Sequence, residues 1–168
     1  MNKKVIVITG AVGFLGSSIT IALSRDHEII AIDLRRPGNA LIEAAPGVKW
    51  EQLDIAETKE VAESFLRIKS EYGRIDFVLH FAAFCHFGNK WLPGFDRTNI
   101  QGTINISQAA INAHVRRLIF ASSISAMEPP LPGQMLTEKT PTSSYIPYVK
   151  SKAIGENIIE RGDRKSVV

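Results

Sequence analysis

The sequence predicts an α/β fold in which one parallel sheet carries helices on both faces. Three observations lead there. Short apolar runs and amphipathic stretches alternate along the chain. The first run, Val5-Ile6-Val7-Ile8, is continuous and β-branched, as in a strand buried on both faces. A glycine-rich turn, Thr9-Gly10-Ala11-Val12-Gly13-Phe14-Leu15-Gly16, follows at once and opens a helix. Such alternation implies right-handed crossovers. It predicts a doubly wound sheet of about five strands in the order 3-2-1-4-5, with a ligand crevice at the switch point beside the first strand.

The elements follow in order. Residues 14–25 read as a helix with Leu15, Ile19, Ala22 and Leu23 on one face. Residues 28–33 read as the second strand, and Pro37-Gly38 and Pro46-Gly47 punctuate a loop before a short third strand at 48–53. Residues 58–72 form an amphipathic helix with Val61, Phe65, Leu66 and Ile68 facing inward, stopped by Gly73. A fourth strand is expected at 75–81, a helix at 98–113 and a fifth strand at 118–121. A proline-rich loop at 128–141 then precedes a last helix at 148–160.

Bulk properties narrow the classes. The 168 residues suffice for one domain with a core, and 45% hydrophobic with 22% charged residues is the composition of a soluble globular chain. The net charge of +3 comes from scattered Lys and Arg, so no nucleic-acid partner is expected, and Arg116-Arg117 reads as a solvated turn. Cys85 is the single cysteine, which excludes an internal disulfide and fits a reducing cytoplasm. Cys85 and His86 together make no metal cluster. The run at 5–8 is far too short for a membrane span or a signal segment.

The glycine loop carries the first chemical expectation. Gly10 permits a tight turn, Gly13 lets a pyrophosphate approach the helix N-terminus beside Phe14 and Leu15, and Gly16 lets the helix lie close to the sheet. Asp33 closes the second strand, where a carboxylate can accept the ribose hydroxyls of NAD and repel the extra phosphate of NADP. Leu34 and Arg35 lie beside it. Arg35 or Arg36 could pair with that phosphate, so NADP stays the alternative cofactor.

The Thr-Gly-x-x-Gly-x-x-Gly loop and the Tyr-x-x-x-Lys pattern of Tyr148-Val149-Lys150-Ser151-Lys152 together resemble the extended branch of the short-chain dehydrogenase/reductase superfamily. The resemblance runs from Lys4 to about Glu160. It implies a Rossmann-like fold and NAD-dependent hydride transfer at a carbinol or carbonyl carbon by an epimerase, dehydratase or dehydrogenase, with a nucleotide sugar as the expected substrate. Tyr148 and Lys152 are four apart and share a helix face. A free tyrosine ionises near pH 10. The lysine ammonium and a positive nicotinamide ring are expected to lower that value so that Tyr148 serves as base, with Lys152 also holding the ribose. Tyr145 competes with Tyr148 but has Val149, not a lysine, four residues on.

Other positions match the family one by one. Phe120-Ala121-Ser122-Ser123 resembles its serine motif, with Ser123 as the catalytic hydroxyl, Ser122 second and Ser125 third. Asp54 and Ile55 match the adenine segment, and Phe81, Ala82 and Ala83 match the segment against which the cofactor lies. Asn99, ahead of Gly102-Thr103, resembles the helix asparagine near the site, and a structural bond and a cofactor contact are both open for it. His80 reads as structural, Cys85 as a packed thiol and His86 as a loop imidazole. The family's aromatic and glycine after the serine motif are replaced by Ser125-Ala126-Met127-Glu128-Pro129-Pro130, which leaves a reductase of another alcohol or carbonyl as an alternative.

Extended members carry a further strand and a C-terminal substrate domain. Residues 1–162 therefore read as an incomplete NAD(P)-binding domain, expected to turn over poorly as it stands. Residues 163–168 also translate the opening bases of a common sequencing adapter, so a non-native tail on a longer natural protein is expected; the alternative is a frayed basic tail. A non-catalytic dinucleotide sensor and an inactive fragment are the competing functions. A homodimer through residues 98–113 and 148–160 is expected by analogy, with no membrane partner.

Overall fold

The computed structural model describes residues 3–128, 130–137, 139–141 and 146–165. Pro129, Tyr145 and residues 166–168 of the tail lie outside the described residues. The sheet is fully parallel, in the order β3-β2-β1-β4-β5. Its strands are β1 (Val5–Thr9), β2 (Glu28–Asp33), β3 (Lys49–Gln52), β4 (Phe77–His80) and β5 (Arg117–Phe120). Helices α1 (Phe14–Leu23), α2 (Asn39–Ala44), α3 (Thr58–Tyr72), α4 (Thr103–Asn112) and α5 (Pro147–Lys165) connect and cover them. The order and direction are those expected from the sequence.

All five residues of β1 are buried, and alternate ones serve opposite faces. Val5 and Val7 join Val61, Phe65 and Ile68 of α3 and Ile106 and Ala109 of α4. Ile6 and Ile8 join Ile29, Ala31 and Leu79, with Ile19 and Leu23 of α1 packed against them. The central strand thus has no solvated face, which is why its sequence is uniformly apolar.

Several expectations need correction. On α3 the inward set is Val61, Ser64, Phe65 and Ile68, and Leu66 is 61% exposed. Leu66 lies about 100° around the helix from Phe65. Ser64 takes the inward position and donates to Glu51 Oε2 at 2.9 Å. On α1 the buried residues are Gly16 and Thr20; of the face expected from the sequence, Ile19 and Leu23 pack against the core, while Leu15 and Ala22 are exposed. A Cβ on Gly16 would sit 2.1 Å from the Gly10 carbonyl oxygen, so the side facing the sheet admits only the smallest residue there. Helix α2 occupies a stretch read as loop; it buries no residue and so has no apolar stripe to read. The helix expected at 98–113 begins earlier, as a π-helical segment (Phe95–Gly102) that runs into α4 and buries Phe95, Asn99 and Gly102. The last helix continues past 160 to Lys165.

The two neighbours on α3 separate packing from pattern. Phe65→Ala is expected to cost about 3–5 kcal/mol and Leu66→Ala less than about 1 kcal/mol. Urea unfolding midpoints of the two variants check this, and equal losses would contradict the orientation of α3.

Candidate functional site

The loop after β1 is built by close approach of backbone. Gly10 has a φ of +71° and its missing Cβ would lie 2.6 Å from the Ala82 nitrogen, so a side chain there would drive β1 and β4 apart. The loop closes with Gly13 N–H donating to Gly10 C=O at 3.0 Å, and α1 starts from Gly13. No side chain caps α1, so its first N–H groups face the loop's open side.

Asp33 is buried at the end of β2. One carboxylate oxygen accepts the Val12 N–H at 2.9 Å and the other accepts the Arg35 N–H at 3.0 Å. Arg35 Nε lies 3.5 Å from the same oxygen. The carboxylate therefore holds the glycine loop in place as well as facing the crevice.

Two cavities meet at that loop. One, of about 290 Å³, is lined by Gly10, Gly13, Asp33, Leu34, Arg35, Asp54, Ile55, Thr98 and residues 81–84. The other, of about 240 Å³, is lined by Gly10, Gly13, Phe14, Leu15, Gly16, Phe81, Ala83, Ala121, Ser122, Tyr148 and Lys152. Asp54 is fixed by Arg97, which donates to it at 2.8 Å and to Glu57 at 2.7 Å.

Of the residues named from the sequence, Asn99 and Ser123 line neither cavity. The Asn99 amide accepts the Phe84 N–H at 2.7 Å and donates to Phe84 C=O at 2.9 Å and Ser151 Oγ at 2.8 Å. Its side chain is spent on structure. Ser123 precedes the short 3₁₀ turn Ile124–Ala126, its Oγ accepting the Ser125 N–H at 3.3 Å. Ser122, which does line the cavity, donates its proton to Glu156. Ser125 is exposed.

Tyr148 and Lys152 come from the first two turns of α5. Lys152 is 4% exposed, donates to Ala121 C=O at 2.7 Å and lies 4.8 Å from the Phe120 ring centre. Burial pulls the Lys152 ammonium down to about 8, and Cys85 opposes this. Tyr148 differs from expectation: its phenol is pushed above 10, first by burial and then by the neighbouring Cys85. Lysine 152 turns its charge to a carbonyl and a ring face, and the lowering anticipated from it does not appear among the protein's own groups. Cys85 is exposed rather than packed, and the His86 ring stacks on Phe84 at 6.4 Å. Phe87 meets Tyr148 edge-on at 5.2 Å.

The ring of His80 is wholly buried between Thr9 and Thr103. Burial, and then Lys152, push it down to about 3. Sequence reasoning missed Glu156, Ser151 and Arg97. Glu156 was the accessible one, because it lies four residues past Lys152 and hence on the same face of α5. Among the described residues no group of His, Cys, Asp and Glu is arranged for a metal, and no helix is long and apolar enough to cross a membrane.

Comparison with known proteins adds three findings. The profile of the NAD dependent epimerase/dehydratase family matches residues 6–166. A UDP-glucose 4-epimerase of Lactobacillus helveticus is 32% identical over 96% of this chain and 47% of its own, and a dTDP-D-glucose 4,6-dehydratase of Mus musculus is 29% identical over 94% and 45%. The UDP-Glc/GlcNAc 4-epimerase structure from Campylobacter jejuni superposes with a TM-score of 0.81 at 25% identity over 96% of this chain and 50% of its own. The Bordetella bronchiseptica enzyme WbmG in complex with NAD gives 0.80 at 25% over 96% and 51%. The chain spans about half the length of the curated relatives it matches.

His80 generates a stability prediction. Its folded value of about 3 lies below its ordinary 6.5, so its neutral form favours the fold fully above pH 6.5 and this contribution is lost as pH falls towards 3. Between pH 6.5 and 4.5 the loss is expected to be about 1.4 kcal/mol per pH unit. Urea midpoints at pH 7, 5.5 and 4.5 check this, with the slope reduced in His80→Gln.

Proposed function

Because the chain belongs to the NAD dependent epimerase/dehydratase family, we propose that it is the NAD-binding part of an oxidoreductase that moves a hydride to or from a carbinol or carbonyl carbon of a nucleotide sugar. The observation that carries this reading is the meeting of two cavities at one glycine loop, with Asp33 in the first and Tyr148 and Lys152 in the second. The relatives named for UDP- and dTDP-sugar reactions support the substrate class.

The residues fit a dinucleotide. A Cβ at Gly10 or Gly16 would occupy the cradle or its backing, and the uncapped start of α1 offers N–H groups to a pyrophosphate. The Asp33 cavity would take the adenosine, with Asp54 and Ile55 available to the base and the Asp33 carboxylate to its ribose. Lys152, in the second cavity, would hold the other ribose. When bound, NAD supplies the carbon that accepts or returns the hydride and, oxidised, a positive ring.

The chain's own groups handle the proton. With its phenol held protonated by burial, Tyr148 would donate to a carbonyl oxygen in the reductive direction and be left as phenolate; the oxidative direction would start from that phenolate, which the positive ring of oxidised NAD would favour. Ser123 lines neither cavity but directly follows Ser122, which does, and its Oγ accepts a backbone N–H, which leaves its own proton uncommitted. The Ser122 proton is already committed to Glu156, which favours Ser123.

Fluorescence titration with NADH and NADPH tests the cofactor reading: NADH is expected to bind at least about tenfold tighter, and a preference for NADPH would refute the role of Asp33. Turnover of UDP- and dTDP-sugars by the 168-residue chain is expected to be weak or absent. Clear turnover lost in Tyr148→Phe would overturn that expectation while supporting the chemistry.

A further inference from the structure

A line of hydrogen bonds, buried at its centre, runs from Ala82 beside the first cavity to Tyr148 beside the second, and every proton in it has one place to go. It starts at Ala82, whose N–H donates to Thr9 Oγ1 at 3.3 Å. Thr9 Oγ1 lies 2.6 Å from His80 Nδ1, and His80 Nε2 lies 3.1 Å from Thr103 Oγ1. Thr103 gives its single proton to Asn99 C=O at 2.7 Å. The Asn99 amide reaches Ser151 Oγ, which donates to Tyr148 C=O at 2.6 Å.

The directions determine the state of the ring. The only proton of Thr103 is already given away, so Thr103 can only accept from His80, and Nε2 must carry a hydrogen. In a neutral ring Nδ1 is then bare and accepts the Thr9 hydroxyl proton, while Thr9 accepts from Ala82. A second proton on Nδ1 would point at Thr9 and displace the Thr9 proton from its acceptor. Lysine 152 on α5 is the charged group that acts on the ring, and it opposes a second positive charge. From β1 and α4 the facing groups are the two threonine hydroxyls, and from β5 the Phe120 ring at 5.6 Å.

We propose that His80 is a positioning residue: a neutral imidazole with its proton on Nε2, whose two hydrogen bonds couple the glycine loop to the turn of α5 that carries Tyr148 and Lys152. Its location supports the coupling. Thr9 immediately precedes Gly10, and Ala82 is the residue against which Gly10 closes. At the far end Ser151 lies between Tyr148 and Lys152 in the chain. Anything that seats the glycine loop therefore seats the Tyr148 turn, through Thr9, His80, Thr103, Asn99 and Ser151, none of which lines either cavity. The coupling rests on the cofactor reading given above; the tautomer does not.

Two measurements on the 168-residue chain test the proposal. Long-range ¹H–¹⁵N spectra of the labelled protein, assigned with His80→Gln, should show a bare Nδ1 and a protonated Nε2 for His80, unchanged from pH 8 to 5. A protonated Nδ1, or titration near pH 6, overturns the proposal. In parallel, NADH is titrated into wild type, Thr103→Val and Thr103→Ser at a temperature where each is folded. Thr103→Val should weaken NADH binding about fivefold or more while Thr103→Ser stays near wild type. A folded Thr103→Val that binds NADH like wild type, even with a lowered Tm, makes the line merely structural and overturns the coupling. Wild type that fails to bind NADH overturns the cofactor reading and the coupling with it, and the spectra alone then decide the tautomer.

Discussion

The structure depends on the contact between the backbone of Gly10 and the start of the segment after β4. No side-chain atom fits there: a Cβ would stand 2.6 Å from the Ala82 nitrogen and 2.8 Å from its Cα. This approach brings the ends of β1 and β4 together at the point where the strand order reverses, and so opens the crevice. Gly16, six residues later in the first turn of α1, repeats the constraint against Gly10 itself. Asp33 then closes the arrangement from β2 by accepting the Val12 N–H. Three strands thus converge on one loop, two through close backbone approach and the third through the Asp33 carboxylate, and both cavities share that loop.

The parts of the fold legible in the sequence are those where one physical requirement dominates. β1 had to be apolar throughout because it is buried on both faces, and α3 ends at Gly73 because that residue has a φ of +72°. The parts that were illegible answer to two requirements at once. Ser64 shares the inward face with Val61, Phe65 and Ile68 and bonds Glu51 on β3, so a polar residue occupies a position that an apolar pattern does not mark. Helix α2 buries nothing, so no periodicity marks it. The π-helical segment is set by distant packing: Gly94 lies against the Phe84 ring and Gly102 against Ile55, neither of which is local in sequence.

The candidate site shows the same division. The glycine loop, Asp33, Tyr148 and Lys152 were legible because their spacing is itself the chemistry. The electrostatic state of Tyr148 was not, because it depends on where Lys152 points. Gly155 leaves room for the Phe120 ring, whose Cζ would lie 2.6 Å from a Cβ there, and that ring and the Ala121 carbonyl draw the ammonium toward the end of β5. Burial of the phenol and the neighbouring Cys85 then prevail. Spacing on a helix face says which side chains can meet, and the surrounding strand decides whether they do.

Glu156 and Lys152 extend this argument to the segment after β5. One turn apart on α5, they hold consecutive residues at the end of β5: Lys152 the Ala121 carbonyl, and Glu156 the Ser122 hydroxyl. Opposite charges thus grip the strand end through a backbone acceptor and a side-chain donor. A rotation of α5 that improved one contact would break the other, so the helix has a single register against the strand. Ser123 follows directly and inherits that register, although its own side chain makes only a local bond to Ser125. The precision of such a site therefore resides less in the groups that face the cavity than in the paired contacts behind them.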